Sequence, residues 1–121
     1  MQIINCTPHP INLLFPEGLT WDSKSRCYHG EPRIRLTIEP SGVVPRCTQQ
    51  EEMVASMHGV PVYRMKFGAV ESLPPRMDGA RYIVSSLVAQ ACPERDDLLI
   101  PAHMVRDIEG KVVGCTAFAR V

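Results

Sequence analysis

The feature that most limits the fold of this chain is its content of eleven prolines and eight glycines within 121 residues. Proline removes a backbone hydrogen-bond donor and glycine favours turns, so neither supports a long regular helix. Only three Phe, three Tyr and one Trp are present, so the core must be built mainly from aliphatic side chains. These features together favour short strands joined by turns over long helices.

Two stretches alternate between apolar and polar residues with the period of a β-strand. In the stretch 33–40, Ile34, Leu36 and Ile38 share one face, which predicts a half-buried strand. In the stretch 60–68, one side is wholly apolar and consists of Pro61, Tyr63, Met65 and Phe67. Further β-prone runs lie at 2–7, 11–15, 43–47, 80–85, 98–101, 102–107 and 111–121.

Two other stretches predict helical turns. The segment 48–59 starts with Thr48, has Glu51 at the spacing of a capping box and ends at Gly59. It therefore predicts one or two helical turns, unless the next strand begins within it. The segment 86–91 predicts a short helix that Ser85 or Ser86 caps and that Pro93 must end.

These elements predict a mostly β (α+β) fold of seven to nine short strands and one or two short helices, in a single domain that spans residues 1–121. Most connections are too brief for a parallel crossover. We therefore predict a compact antiparallel β-barrel or curled sheet, with a helix across one opening.

Charge and cysteine content exclude several classes of function. Thirteen basic and thirteen acidic side chains cancel, so the chain lacks the positive field that binding to duplex nucleic acid or to a membrane surface needs. No apolar run is long enough to cross a membrane. Five dispersed cysteines without a Cys-x-x-Cys pair indicate a reducing, cytoplasmic compartment. The expected partner is a small anionic ligand or another protein.

A metal site and an enzyme active site can both be formulated from the sequence. Cys6 with His9 and Cys27 with His29 supply four ligands of the right type for zinc, but their spacing is not characteristic, so we predict neither a metal nor another cofactor. If the protein is an enzyme, His9 or His103 is the candidate general base, near Asp96 or Asp97.

Acidic and basic residues near the C-terminal strands have two interpretations. Asp96, Asp97 and Asp107 form a carboxylate cluster if the flanking strands pair. Alternatively, Arg95 with Asp97 and Arg106 with Asp107 form ordinary ion pairs on a surface rim. The second interpretation is the one we favour.

An anion site is predicted around the strand-to-helix junction at Ser85. No glycine-rich phosphate motif is present, so arginines and helix-end amides would have to hold a phosphate. Arginines outnumber lysines and flank several strands, which suits bidentate recognition of phosphate. The proposed phosphate ligands are Arg46, Arg95 and Arg106. Phe67 or Tyr82 would stack on a base, and Ser85, Ser86 and Gln90 would donate neutral hydrogen bonds.

The succession of "TPHPINL", "IEPSGVVPR", "FGAVESLP", "YIVSSLVAQACPERDDLLIP" and "VRDIEGKVVGC" resembles a group of small proteins of bacteriophages and mobile elements. The resemblance covers nearly the whole chain, although Pro45 stands where a small residue is usual. It implies a phage-type accessory protein, which we predict to be a non-catalytic homo-oligomer of the host cytoplasm. A phage accessory protein would counter host defence by sequestering a nucleotide-derived immune signal, by degrading it, or by blocking a defence protein.

Overall fold

The computed structural model describes every residue from Met1 to Val121. It contains ten strands and one helix: β1 Gln2–Asn5, β2 Ile11–Leu14, β3 Thr20–Asp22, β4 Cys27–His29, β5 Ile34–Ile38, β6 Arg46–Met57, β7 Val60–Glu71, β8 Ala80–Ile83, α1 Ser86–Ala91, β9 Leu98–Arg106 and β10 Val112–Ala119. The predicted mostly β class with a short helix is confirmed. Two strands have 12 residues each and are longer than the pattern had suggested.

The main sheet has eight strands and follows the path β1-β8-β9-β10-β2-β5, with the β3–β4 hairpin joined to β9 through β4. It is mixed rather than purely antiparallel, because β1–β8, β8–β9, β10–β2 and β4–β9 are parallel pairs. Parallel partners are far apart in the chain, or are joined by a crossover that contains α1. Loop lengths between successive strands therefore could not reveal them.

The sheet curls but does not close into a barrel. Its two end strands, β1 and β5, meet at one isolated bridge between Asn5 and Pro40. There the backbone N–H of Ser41 donates to the carbonyl of Asn5 at 2.8 Å. The buried amide of Asn5 also donates to the carbonyl of Ile38 at 3.0 Å, so a single side chain ties the two ends together.

Helix α1 packs on the core beside the ends of β8 and β9. It begins after Ser85, whose hydroxyl accepts the N–H of Val88 at 3.3 Å, and ends at Cys92 just before Pro93, as predicted. The central core cluster consists of Cys6, Ala80, Tyr82, Val84, Val88, Ala89 and Leu98. No helix of the chain has the length and apolar character needed to cross a membrane.

Strands β6 and β7 form a separate two-stranded antiparallel sheet, which we call the arm. The prediction of helical turns at 48–59 was wrong, because this segment is part of β6. His58 and Gly59 both have positive φ, 52° and 78°. Such a two-residue turn matches the twist of paired strands and starts a hairpin, so the turn and the β-prone β7 override the capping pattern.

Thr48 shows why the capping pattern fails. Its hydroxyl donates across the arm to the carbonyl of Ala69 at 3.1 Å instead of capping a helix. Gly68 makes room for it, since a Cβ at residue 68 would lie 2.5 Å from Thr48 Oγ1. The residue with a capping preference is therefore used as a cross-strand link.

Strand β5 forms as predicted, but its apolar face is not buried. Ile34 and Leu36 are 58% and 52% exposed, because β5 is an end strand of the sheet and no element packs over this face. On the other side, the guanidinium carbons of Arg33 and Arg35 lie 5.3 and 6.0 Å from the centre of the Phe15 ring.

Candidate functional site

A groove at the junction of the arm and helix α1 contains two of the predicted site residues, Arg46 and Ser85. We call it the Arg46 groove. Its volume is about 280 Å³, and it is lined by Pro8, Val44, Pro45, Arg46, Cys47, Gln49, Ser85, Leu87 and Val88. It lies where β6 leaves the body of the protein and passes the start of the helix.

Arg46 supplies the positive charge of this groove. It is the first residue of β6 and is exposed. Glu71 lies opposite Arg46 in the strand register, but the three ion pairs of the protein involve other arginine and histidine residues. The guanidinium of Arg46 is therefore free to bind an anion with its own N–H groups.

Ser85 lines the same groove. Its oxygen already accepts the N–H of Val88, and the hydroxyl proton remains available because a serine can donate and accept together. Ser86 lies on the first turn of the helix and accepts a hydrogen bond from Gln90 Nε2 at 2.9 Å. Ser86 and Gln90 are thus partners of each other, and neither lines the Arg46 groove.

A second groove of about 290 Å³ lies on the other side of Leu87 and is lined by Phe67, Gly68, Leu87, Gln90 and Ala91. We call it the Phe67 groove. Its aromatic ring and the amide of Gln90 were both among the predicted contacts. Leu87 is therefore a wall shared by an arginine-containing groove and a groove that contains an aromatic ring.

Tyr82 does not belong to either groove, and the idea that it stacks on a base must be corrected. Its ring is part of the core cluster and only 2% exposed. Its hydroxyl donates to the carbonyl of Pro75 at 3.1 Å. A ring held in this way contributes packing and not ligand contacts.

Arg95 is also unavailable as a phosphate ligand. Its Nε and one terminal nitrogen donate to the two carboxylate oxygens of Asp97 at 2.8 and 2.9 Å, and the same terminal nitrogen reaches the carbonyl of Pro74 at 2.9 Å. Asp97 is buried, and hydrogen bonds from Arg95 lower its pKa. The predicted pair therefore exists, but inside the protein and not on a rim.

Arg106 lies at the far end of β9, away from both grooves. Its guanidinium donates to the carbonyl of Gly110 at 2.7 Å. Asp107 does not pair with it, because one carboxylate oxygen accepts the N–H groups of Glu109 and Lys111 and so shapes the turn before β10. The expected convergence of Arg46, Arg95 and Arg106 on one site is thus not formed.

The residues considered for catalysis lie in separate places. His9 lines an apolar cavity of about 390 Å³ together with Ile11, Met104 and Cys115. The ring of His103 lies 5.8 Å from that of Trp21. Asp96 is exposed and paired with Arg76 at 2.6 Å, and Asp97 is held by Arg95. No histidine is therefore paired with either carboxylate as a general base would be.

The candidate zinc ligands are also not assembled, since no group of three or more His, Cys, Asp or Glu side chains could hold a metal ion. His29 contacts Ser25 at 3.1 Å. Burial raises the pKa of the Cys6, Cys92 and Cys115 thiols. None of these three thiols is activated as a nucleophile at neutral pH.

Of the nine residues that line the Arg46 groove, sequence reasoning found two and missed seven, among them Pro8, Gln49 and Leu87. Gln49 was hidden by the helical interpretation of its segment, and Leu87 looked like an ordinary core position of α1. Pro8 comes from the kinked connection between β1 and β2, which is distant in sequence from the arm. No local pattern could have placed it there.

No protein-family model, curated protein or solved structure matches this chain. The function must therefore be inferred from the geometry of the chain itself.

Proposed function

We propose that the protein is a non-catalytic binding protein that holds a small anionic ligand in the Arg46 groove. The observation that carries this proposal is that Arg46, without an ion-pair partner, lines one groove with Gln49 and Ser85. A guanidinium can donate two parallel hydrogen bonds to a phosphate or carboxylate. The hydroxyl and the amide add neutral donors.

The two grooves together suit a ligand with an anionic end and a flat apolar end. Each groove alone, at about 280 and 290 Å³, is at or below the lower limit of typical small-molecule sites. Because they share Leu87, a ligand can lie across both, with its phosphate near Arg46 and a base beside Phe67. This arrangement supports a nucleotide-like ligand better than a simple anion.

The phage-type role suggested by the sequence belongs to the same proposal. A protein of this kind would sequester a nucleotide-derived immune signal in the host cytoplasm. Degradation of the signal is the less favoured alternative, because the histidines and carboxylates considered for catalysis are dispersed. Blocking of a defence protein would require an exposed apolar surface. The arm has such a surface, but it suits a second copy of this chain.

Isothermal titration with cyclic dinucleotides, cyclic AMP and ADP-ribose tests the proposal. We expect one of these ligands to bind, and Arg46→Ala to weaken its binding by at least about tenfold, as for the loss of a charge-assisted hydrogen bond. Arg64→Ala is the matched control, because Arg64 is an exposed arginine of the same arm that lines neither groove. Absence of heat from every ligand, or equal weakening by both variants, would contradict the proposal.

The mass of the ligand recovered after incubation with the protein distinguishes binding from catalysis. We expect ligand released from the denatured complex to have an unchanged mass. A hydrolysed product would instead favour the enzyme alternative.

A further inference from the structure

One face of the arm carries a row of exposed apolar side chains. Residues directly opposite each other in paired strands share a face, and the register pairs Met53 with Tyr63, Glu51 with Met65 and Gln49 with Phe67. Met53, Tyr63, Met65 and Phe67 are 62%, 50%, 47% and 51% exposed. We call these four residues the outer row.

The same face is covered at the base of the arm. There Cys47 pairs with Val70, and Val70 packs against the core cluster. Phe67 follows, beside Leu87 of helix α1. The helix has only six residues, so the face continues outward without cover. A two-stranded sheet is marginal in water unless another element packs on it, and the outer row therefore requires a partner surface.

The edges of the arm are less suited to a contact than this face. The pairing of β6 with β7 has two register shifts, between Cys47 and Gln49 and between Met53 and Ala55. Strand β7 has Pro61 near the tip and the charged Arg64 and Lys66 further along. Bulges, proline and charges are the features that prevent edge pairing. A partner is consequently expected to pack on the face rather than to add a strand.

The outer rows of two copies are complementary to each other in side-chain type. On β7 the order Tyr63, Met65, Phe67 reads aromatic, methionine, aromatic in both directions. If two arms lie antiparallel with a two-fold axis at Met65, each Tyr63 opposes the partner copy's Phe67 and the two Met65 side chains meet. Contacts between aromatic rings and between methionine sulfur and rings are favourable.

Area also fits a second copy. The arm as a whole carries no net charge, with three basic residues, Arg46, Arg64 and Lys66, and three acidic residues, Glu51, Glu52 and Glu71, although the one charge on the contacting face is that of Glu51. Two copies packed on the outer row and Leu87 would bury on the order of 1,000 Å² from these side chains alone, close to the roughly 1,200 Å² at which stable interfaces begin.

We propose that two copies of this chain dimerise by packing their outer rows face to face, with antiparallel arms and a two-fold axis at Met65. The tip of each arm then reaches the base of the other. Phe67 and Leu87 also line the grooves of the proposed ligand site, whereas Met65, at the axis, lines neither groove, so the dimer can be tested in the absence of ligand.

Sedimentation equilibrium of the full chain tests this contact. We expect twice the monomer mass at micromolar concentration, and an increase of about 100-fold in the dissociation constant for Met65→Glu, because two like charges would be buried at the axis. Gln50→Glu is the control. Gln50 lies one step along the register from the Glu51–Met65 pair, on the opposite face of the arm. The substitution adds the same charge and is expected to leave the dimer unchanged. The proposal would be overturned if the wild-type chain were monomeric at all concentrations. That outcome includes the case in which the arm binds a different protein instead of a second copy.

A cross-linking experiment tests the same face independently, in case Met65→Glu disturbs the folding of the arm. In a background with Cys47→Ser and Cys92→Ser, Met65→Cys should form a disulfide-linked dimer when a disulfide oxidant such as oxidised glutathione accepts the two thiol protons and electrons. Lys66→Cys, on the other face, should stay unlinked. Equal cross-linking of the two variants would show that the face is not the interface.

Discussion

Arg95 donates two hydrogen bonds, of 2.8 and 2.9 Å, to the buried carboxylate of Asp97, which lies two residues further along the chain. The same guanidinium reaches the carbonyl of Pro74, so the pair ties the loop before β8 to the start of β9. The backbone carbonyl of Asp97 also accepts the N–H of Tyr82, in β8, at 2.9 Å. A cluster that looked like a surface rim is thus a structural clamp.

Removing one partner of this clamp should be costly. We expect Asp97→Asn to lower the free energy of unfolding by about 3–5 kcal/mol at pH 7, because it leaves a largely buried guanidinium without its counter-charge. Denaturant unfolding measures the change. Arg76→Ala is the control, since the Arg76–Asp96 pair is exposed and should contribute about 0–1 kcal/mol.

The same clamp predicts a dependence of stability on pH. Arg95 lowers the pKa of Asp97 in the folded state, so the stabilisation is present above the unfolded-state pKa of about 3.9 and is lost as the pH falls through the lower folded value. We therefore expect the stability difference between wild type and Asp97→Asn to shrink on acidification from pH 5 to pH 2. A difference that stays constant over this range would contradict the clamp.

Gly68 and Thr48 should be coupled. A methyl group at residue 68 meets Thr48 Oγ1, so Gly68→Ala should force Thr48 to rotate and lose its hydrogen bond to Ala69, at a cost of about 1 kcal/mol. In the Thr48→Ala background, Gly68→Ala should cost measurably less. A double-mutant cycle by thermal unfolding tests this, and strict additivity would mean that the two residues do not interact.

Ser85 should serve both the helix and the groove, and one substitution separates the two roles. Aspartate is as good an N-cap as serine, so Ser85→Asp should keep the stability of the protein within about 0.5 kcal/mol. Because residue 85 lines the Arg46 groove, a carboxylate there would repel an anion or pair with Arg46. We expect unchanged thermal unfolding and loss of ligand binding. Retained affinity would remove Ser85 from the site.

Glu51 is the only charged residue on the face of the outer row, and it lies beside Met65 in the register. An antiparallel two-fold dimer brings the two Glu51 side chains near each other. Glu51→Gln should therefore tighten the dimer by roughly two- to tenfold, as for removal of a like-charge contact. Sedimentation equilibrium measures it. An unchanged or weaker dimer would exclude this orientation of the arms.

Local patterns predicted most of the strands and helix α1, because period-2 alternation, Ser85 and Pro93 are all local features. The arm was missed because Thr48 and Glu51 at capping spacing suit a helix, and only pairing with β7 turns that segment into a strand. The exposure of Ile34 and Leu36 depends on whether another element packs over β5. The alternation of residues within β5 carries no information about that.

The candidate site was predicted in part. Ser85 was found because a strand-to-helix junction offers free backbone donors, and Arg46 because it flanks a strand. Arg95 and Tyr82 were misassigned because their partners, Asp97 and the carbonyl of Pro75, decide their role. The hydrogen-bond partners of these side chains are set by the tertiary structure and cannot be derived from residue type.

The most direct measurement of the central claim is amide chemical-shift mapping by NMR during titration with ADP-ribose, cyclic AMP or a cyclic dinucleotide. We predict saturable shifts concentrated at Arg46–Gln49 and Ser85–Val88, and their loss in Arg46→Ala. Saturable shifts centred on His9 and Met104, at the apolar cavity, or no shifts with any of the three ligands, would contradict the account.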